Sequence, residues 1–168
     1  FGENKVQEAI DKWTELKSKK SNINLHLIGK LQTNKVKHAI KIFDFIHSVD
    51  NKKLAKKIAD EQIKFGKQVK IFLQVNLDNE AQKSGVSKDE LQNLFKYCRE
   101  IGLNVIGLMC IPPNNVDPNP FFEDLKSLND KFGLSELSMG MSSDYEIAIK
   151  NSSTYLRIGS DIFGKRVN

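Results

Sequence analysis

The chain reads as an α/β protein of alternating strands and helices, and within that class as a (β/α)8 barrel. Three observations carry the reading. Short β-rich apolar runs alternate with longer stretches whose apolar residues fall three and four apart. Turn and cap residues stand at the junctions. No GxGxxG or GxxxxGK[ST] occurs, although an open doubly wound sheet would carry a Gly-rich turn after its first strand.

Phe1-Gly-Glu-Asn reads as the last residues of a strand whose beginning precedes Phe1, so the expected barrel is incomplete at its N-terminus. A helix is predicted over Lys5 to Lys19, then a strand at Leu25-His-Leu-Ile-Gly and a helix over Lys35 to Lys41. Phe45-Ile-His-Ser-Val is the next strand, followed by a helix over Lys52 to Phe65. Val69 to Asn76 is a strand and Lys88 to Ile101 a helix, for which Ser87 and Glu90 make a capping box. Val105 to Ile111 is a strand, the proline-rich stretch from Pro112 to Pro120 a loop, and Pro120 to Phe132 a helix with Phe121, Leu125 and Leu128 on one face. The pattern closes with a strand over Glu136 to Met141, a helix over Tyr145 to Lys150 and a strand over Tyr155 to Gly159. Gly66, Gly102 and Gly133 follow helices, as C-terminal stops do. Each helix then serves as a crossover between parallel strands.

With 168 residues, 39% hydrophobic and 28% charged, the chain has the balance of one globular domain over 1–168, with neither a disordered nor a coiled-coil composition. No apolar run reaches the roughly 18 to 20 residues that cross a bilayer, and the first residues lack the order of a secretory signal. A cytoplasmic protein with no membrane association is expected. Cys98 and Cys110 have no CxxC partner and read as core thiols. The net charge of +5 comes from lysines spread among acids along helices, a solvated face and not a specific nucleic-acid site. His26, His38 and His47 lack HxH or HxxxH spacing, so no metal site is expected, and each reads singly as a hydrogen-bonded core histidine. No GxSxG or carboxylate dyad stands out.

Barrels of this kind place their chemistry at the carboxyl ends of strands, and phosphorylated ligands at the loops after the last two. Here those loops are Ser138-Met-Gly-Met-Ser-Ser-Asp and Arg157-Ile-Gly-Ser-Asp-Ile-Phe-Gly. Ser142 with Ser143, and Gly159 with Ser160, combine small residues and hydroxyls that let backbone N–H groups approach a phosphate. The same residues also suit ordinary caps and turns. Arg157 faces either the barrel interior, where a buried guanidinium needs an acceptor, or a helix carboxylate outside.

These residues resemble the pyridoxal phosphate homeostasis protein family, whose domain is similar to the barrel of alanine racemase. The matching motifs are Phe1-Gly-Glu-Asn-Lys-Val-Gln-Glu, His26-Leu-Ile-Gly-Lys-Leu-Gln-Thr-Asn-Lys, His47-Ser-Val-Asp, Gln74-Val-Asn and Lys83-Ser-Gly. Gly107-Leu-Met-Cys-Ile-Pro, Leu137-Ser-Met-Gly-Met-Ser-Ser-Asp-Tyr-Glu-Ile-Ala-Ile and Arg157-Ile-Gly-Ser-Asp-Ile-Phe-Gly follow in family order.

The resemblance implies a TIM barrel of the alanine racemase N-terminal type that binds pyridoxal 5'-phosphate (PLP). Ser142 and the backbone of Gly159 and Ser160 would hold the phosphate, and Arg157 would face the pyridine nitrogen. Asn4, His26 and Met139 would line the pocket near the ring. An arginine at the ring nitrogen keeps it unprotonated and supports carbanion chemistry weakly. The family's cofactor lysine belongs to a segment preceding Phe-Gly-Glu-Asn that has no counterpart in 1–168, so no lysine is assigned that role. The expected function is intracellular PLP homeostasis, holding the cofactor or delivering it to PLP-dependent apoenzymes, by a monomer without robust catalysis. The alternatives are a PLP-dependent amino-acid racemase with His26 or a loop residue as base, a barrel enzyme acting on a sugar phosphate, and, on charge alone, an RNA binder.

Overall fold

A computed structural model of the chain describes residues 1–20, 22–78 and 84–164. Its strands are β1 (Gly2–Glu3), β2 (His26–Leu27), β3 (Phe45–Val49), β4 (Lys70–Asn76), β5 (Val86–Ser87), β6 (Asn104–Met109), β7 (Glu136–Met141) and β8 (Tyr155–Arg157). Its helices are α1 (Val6–Lys19), α2 (Val36–Ile42), α3 (Lys52–Phe65), α4 (Lys88–Glu100), α5 (Asn119–Lys131), α6 (Tyr145–Lys150) and α7 (Ser160–Phe163), with a 3-10 turn at Thr33–Lys35 leading into α2. The sheet runs β1-β2-β3-β4-β6-β7-β8, with β5 paired onto the end of β4. Every pairing among the described residues is parallel.

The sheet curls into a near-closed barrel. His26 of β2 and Tyr155 of β8, near opposite ends of the strand order, bring their rings within 5.7 Å across the interior. His47 of β3 reaches Ser138 of β7 at 2.8 Å. The path holds seven strands, β1 and β8 being its ends, against the eight of a closed barrel.

Two apolar layers follow from strand alternation. Leu27, Ile46, Ile71, Leu73, Leu108, Leu137 and Met139 point outward and are buried under the helices. Phe45, Phe72 and Met109 form a smaller inner cluster with Tyr155 and Ile106. Polar links fix the helices to the sheet. Trp13 Nε1 and Lys12 Nζ of α1 both donate to Glu3 Oε1 at 2.6 and 2.8 Å. Asn129 of α5 accepts from the Leu108 N–H at 3.1 Å and donates to the Leu134 carbonyl at 2.8 Å.

The helix signals operate as the residues suggest. Ser87 Oγ accepts from the Glu90 N–H at 3.3 Å to start α4, and Gly66, Gly102 and Gly133 adopt positive φ after α3, α4 and α5. Four details depart from expectation. On α5 it is Phe122, not Phe121, that is fully buried with Leu125. His38 is exposed instead of lying in the core. The His26 strand is only two residues long, and beyond it, at Gly29, the backbone runs so close to Asn4 that a Cβ would lie 2.2 Å from its carbonyl oxygen. Strand β5 and helix α7 are additional elements. Lys83, quoted in the Lys83-Ser-Gly motif, lies outside the described residues. Among the described residues no helix is long and apolar enough to cross a membrane, and no group of three or more His, Cys, Asp or Glu side chains is placed to hold a metal.

Candidate functional site

Parallel strands deliver all their following loops to one end of the barrel. There the turn after β7 and the turn after β8 meet: the Gly159 N–H donates to Ser142 Oγ at 3.3 Å. Gly159 and Ser160 are exposed and Ser142 is half-buried. Gly159 precedes the first turn of α7, whose leading N–H groups have no acceptor within their own helix. Among the described residues a Cβ on Gly159 would meet nothing within 4 Å, so they leave the space over this turn open. Behind it, Met141 N–H donates to Asp144 Oδ1 at 2.6 Å, which pins the β7 turn.

Arg157 resolves the choice left by alternation: it faces inward. Its Nη1 donates to the Ser138 carbonyl at 2.8 Å and to Ser138 Oγ at 2.9 Å, and its Nη2 to the Cys110 carbonyl at 2.8 Å. Its acceptors are carbonyl and hydroxyl oxygens, and among the described residues no carboxylate forms an ion pair with it. Burial accordingly pushes the guanidinium below its ordinary value, offset in part by Cys110 and Asp144. Three of five N–H donors are committed, which leaves two for a further acceptor.

Beneath Arg157 the polar chain continues. Ser138 Oγ lies 2.8 Å from His47 Nδ1, and His47 Nε2 lies 3.0 Å from His26 Nδ1. The His47 ring stacks on Phe72 at 4.2 Å and the His26 ring on Phe45 at 4.0 Å. Burial lowers His47 to about 2, with His26 and Arg157 adding to the effect, and lowers His26 to about 4. Both are neutral imidazoles at neutral pH.

A cleft of about 380 Å³ opens at the same end of the barrel, lined by Asn4, Gly29, Lys30, Gln74, Asn76 and Pro112 among others. Asn4 is therefore at the mouth. His26 is not: it lines a separate hollow with Phe1, Trp13 and Lys20, toward the amino ends of the strands. Met139 is fully buried in the layer between sheet and helices, so its side chain is off the inner wall, and Ser138 takes that place. The structure thus brings Ser142, Gly159, Ser160 and Arg157 to the ends of β7 and β8, and sets Asn4 in a cleft at the same end whose described lining holds none of those four, while the side chains of His26 and Met139 lie elsewhere. Ser138 and His47 are the residues missed by reading histidines one at a time. The signal was period-two alternation, with Leu137 and Met139 on one face of β7 and Ser138 on the other.

The family model of the alanine racemase N-terminal domain matches residues 1–167. The pyridoxal phosphate homeostasis protein of Aquifex aeolicus is 40% identical over 176 residues, covering 99% of this chain and 76% of that protein. That of Pseudomonas aeruginosa is 37% identical over 172 residues, covering 99% and 74%. This chain belongs to the pyridoxal phosphate homeostasis protein family. Among solved structures, PipY of Synechococcus elongatus PCC7942 with PLP bound superposes with a TM-score of 0.90 at 34% identity, over 98% of this chain and 81% of that one. The near-closed parallel barrel is thus the family's fold, of the alanine racemase N-terminal type.

Proposed function

We propose that the 168 residues form one PLP-binding unit that serves PLP homeostasis by holding the cofactor or delivering it to PLP-dependent apoenzymes, without robust turnover of a substrate. The observation that carries this is the joining of the β7 and β8 turns through Ser142 and Gly159 beside an inward, carboxylate-free Arg157. The donor set suits the group. A hydroxyl and N–H groups of Gly159 and Ser160 would hold the phosphate, and the two remaining Arg157 donors match an unprotonated pyridine nitrogen, which only accepts. When bound, PLP supplies a reactive aldehyde and an electron-withdrawing ring, and a hydrogen-bond donor at the ring nitrogen limits that withdrawal. Asn4 belongs to the mouth wall. His26 and Met139 lie away from this wall.

The names of the relatives as homeostasis proteins support the non-catalytic reading. Catalysis of racemisation needs two placed bases, and the histidines of the interior have lowered pKa values and are already bonded to each other. Two free, buried cysteines suit a reducing, cytoplasmic setting. A monomer without nucleic-acid specificity completes the proposal.

The test is PLP titration of the protein followed by absorbance. Ser142→Ala removes one bond to a charged group and should weaken binding about tenfold. Arg157→Ala should weaken it at least as much and also shift the cofactor band. Unchanged affinity in both variants would place the site elsewhere, and brisk interconversion of alanine enantiomers by the parent protein would overturn the non-catalytic reading.

A further inference from the structure

We propose that Ser138, His47 and His26 are positioning residues for Arg157, forming a one-way hydrogen-bond chain that runs across the barrel from the guanidinium to the half-buried His26. The role toward PLP rests on the function proposed above; the direction of the chain does not.

The direction follows from counting donors. Arginine carries N–H donors and no acceptor, so Ser138 Oγ must accept from Arg157 Nη1 at 2.9 Å. Ser138 is fully buried, and its other partner is His47 Nδ1 at 2.8 Å. If His47 carried its proton on Nδ1, that proton would also point at Ser138 Oγ, and the serine hydroxyl hydrogen would have no acceptor. A buried donor left unpaired costs free energy. With Nδ1 bare, Ser138 donates to it, and every group is satisfied. His47 then carries its proton on Nε2 and donates to His26 Nδ1 at 3.0 Å. His26 in turn carries its proton on Nε2, the outlet of the chain. One cation thereby fixes the tautomers of two histidines on different strands.

The reverse influence is positional. Ser138 offers Arg157 Nη1 two oxygens, its carbonyl and its hydroxyl, 2.8 and 2.9 Å away. The hydroxyl can keep that orientation only while its own hydrogen is drawn toward His47. His47 is held by its stacking on Phe72 at 4.2 Å and by the bond to His26, which is itself stacked on Phe45 at 4.0 Å. The inner aromatic layer is therefore what keeps the plane of the guanidinium set, and with it the two donors left for a ligand.

Long-range proton–nitrogen correlation NMR on the ligand-free, nitrogen-15-labelled protein at neutral pH tests the direction. The expected result is an Nε2–H tautomer for both His26 and His47; an Nδ1–H tautomer for His47 overturns the chain. Ser138→Ala should release His47 to a tautomer mixture and speed exchange of the Arg157 guanidinium N–H groups about tenfold. His47→Phe keeps a ring over Phe72 and should give the same faster exchange, and His47→Asn, which can present its amide oxygen to Ser138, should restore slow exchange. Exchange unchanged in Ser138→Ala and His47→Phe refutes the positioning role. On the loaded protein both variants should lower PLP affinity severalfold and shift the cofactor band. Loss of these effects with normal parental binding refutes the role toward PLP. Failure of the parent to bind PLP refutes the proposed function, while the tautomers and exchange rates still decide the chain.

Discussion

At the level of single residues, the interior histidines set an acid limit on stability. His26 is lowered by burial from an ordinary value of 6.5 to about 4, so between those values the unfolded chain binds the extra proton and the folded one does not. Stability contributed by neutral His26 is complete above about 6.5 and is lost as pH falls through 4. His47, lowered to about 2, adds to the slope in the same sense and over a wider range. Besides burial, the Phe1 amino group, Lys17 and Lys70 lower His26 while Asp44 raises it, and His26 and Arg157 lower His47. Asp44 is itself lowered, chiefly by its bonds to Lys17 and the Leu25 N–H working against burial, and acts only below its ordinary 3.8. The Tm should therefore fall between pH 7 and pH 5, and fall less in His26→Phe. An equal fall in both proteins would show that His26 is protonated in the fold. Arg157 and the Ser142–Gly159 pair were legible as residue types at strand ends. The chain linking Arg157 to His26 was not, because it depends on strands remote in sequence meeting across the interior.

Elements were legible in proportion to their length and local chemistry. The strand at Phe45–Val49, the strand at Glu136–Met141 and the helix at Lys52–Phe65 stand where periodicity puts them. The two-residue β5 at Val86–Ser87 could not be read, since its serine also caps α4 and a pair of residues has no period. Close approaches are likewise invisible in sequence. Gly107 packs so near β7 that a Cβ would sit 2.0 Å from the Glu136 carbonyl oxygen. Gly107→Ala must therefore part β6 from β7, and should cost about 1–3 kcal/mol or more in urea unfolding. Asn51→Ala loses the cap to the Leu54 N–H, 2.8 Å long, and an exposed bond from Asn51 Nδ2 to Asp50 Oδ1 at 2.6 Å, and should cost about 1 kcal/mol. Equal effects would mean that the β6–β7 approach yields easily.

For the molecule as a whole, two thiols report on cooperativity. Cys98 on α4 and Cys110 after β6 are both free and buried, and burial pushes each up to about 12. Neither should react with an alkylating reagent at pH 8 except through opening of the fold. If the barrel opens as one unit, both should be labelled at one common rate that rises with urea; faster labelling of one would divide the fold into separately opening parts. The paired turns at the barrel mouth carry a different consequence. Because the Gly159 N–H is already engaged by Ser142 Oγ, an arriving oxyanion is a competitor for an occupied donor, and its net gain is the difference between a charge-assisted bond and a neutral one. Such an exchange rewards the charge carried by the newcomer more than its shape. On the proposed assignment of these turns it would favour phosphate esters over neutral vitamers and leave the emptied loop with its donor satisfied.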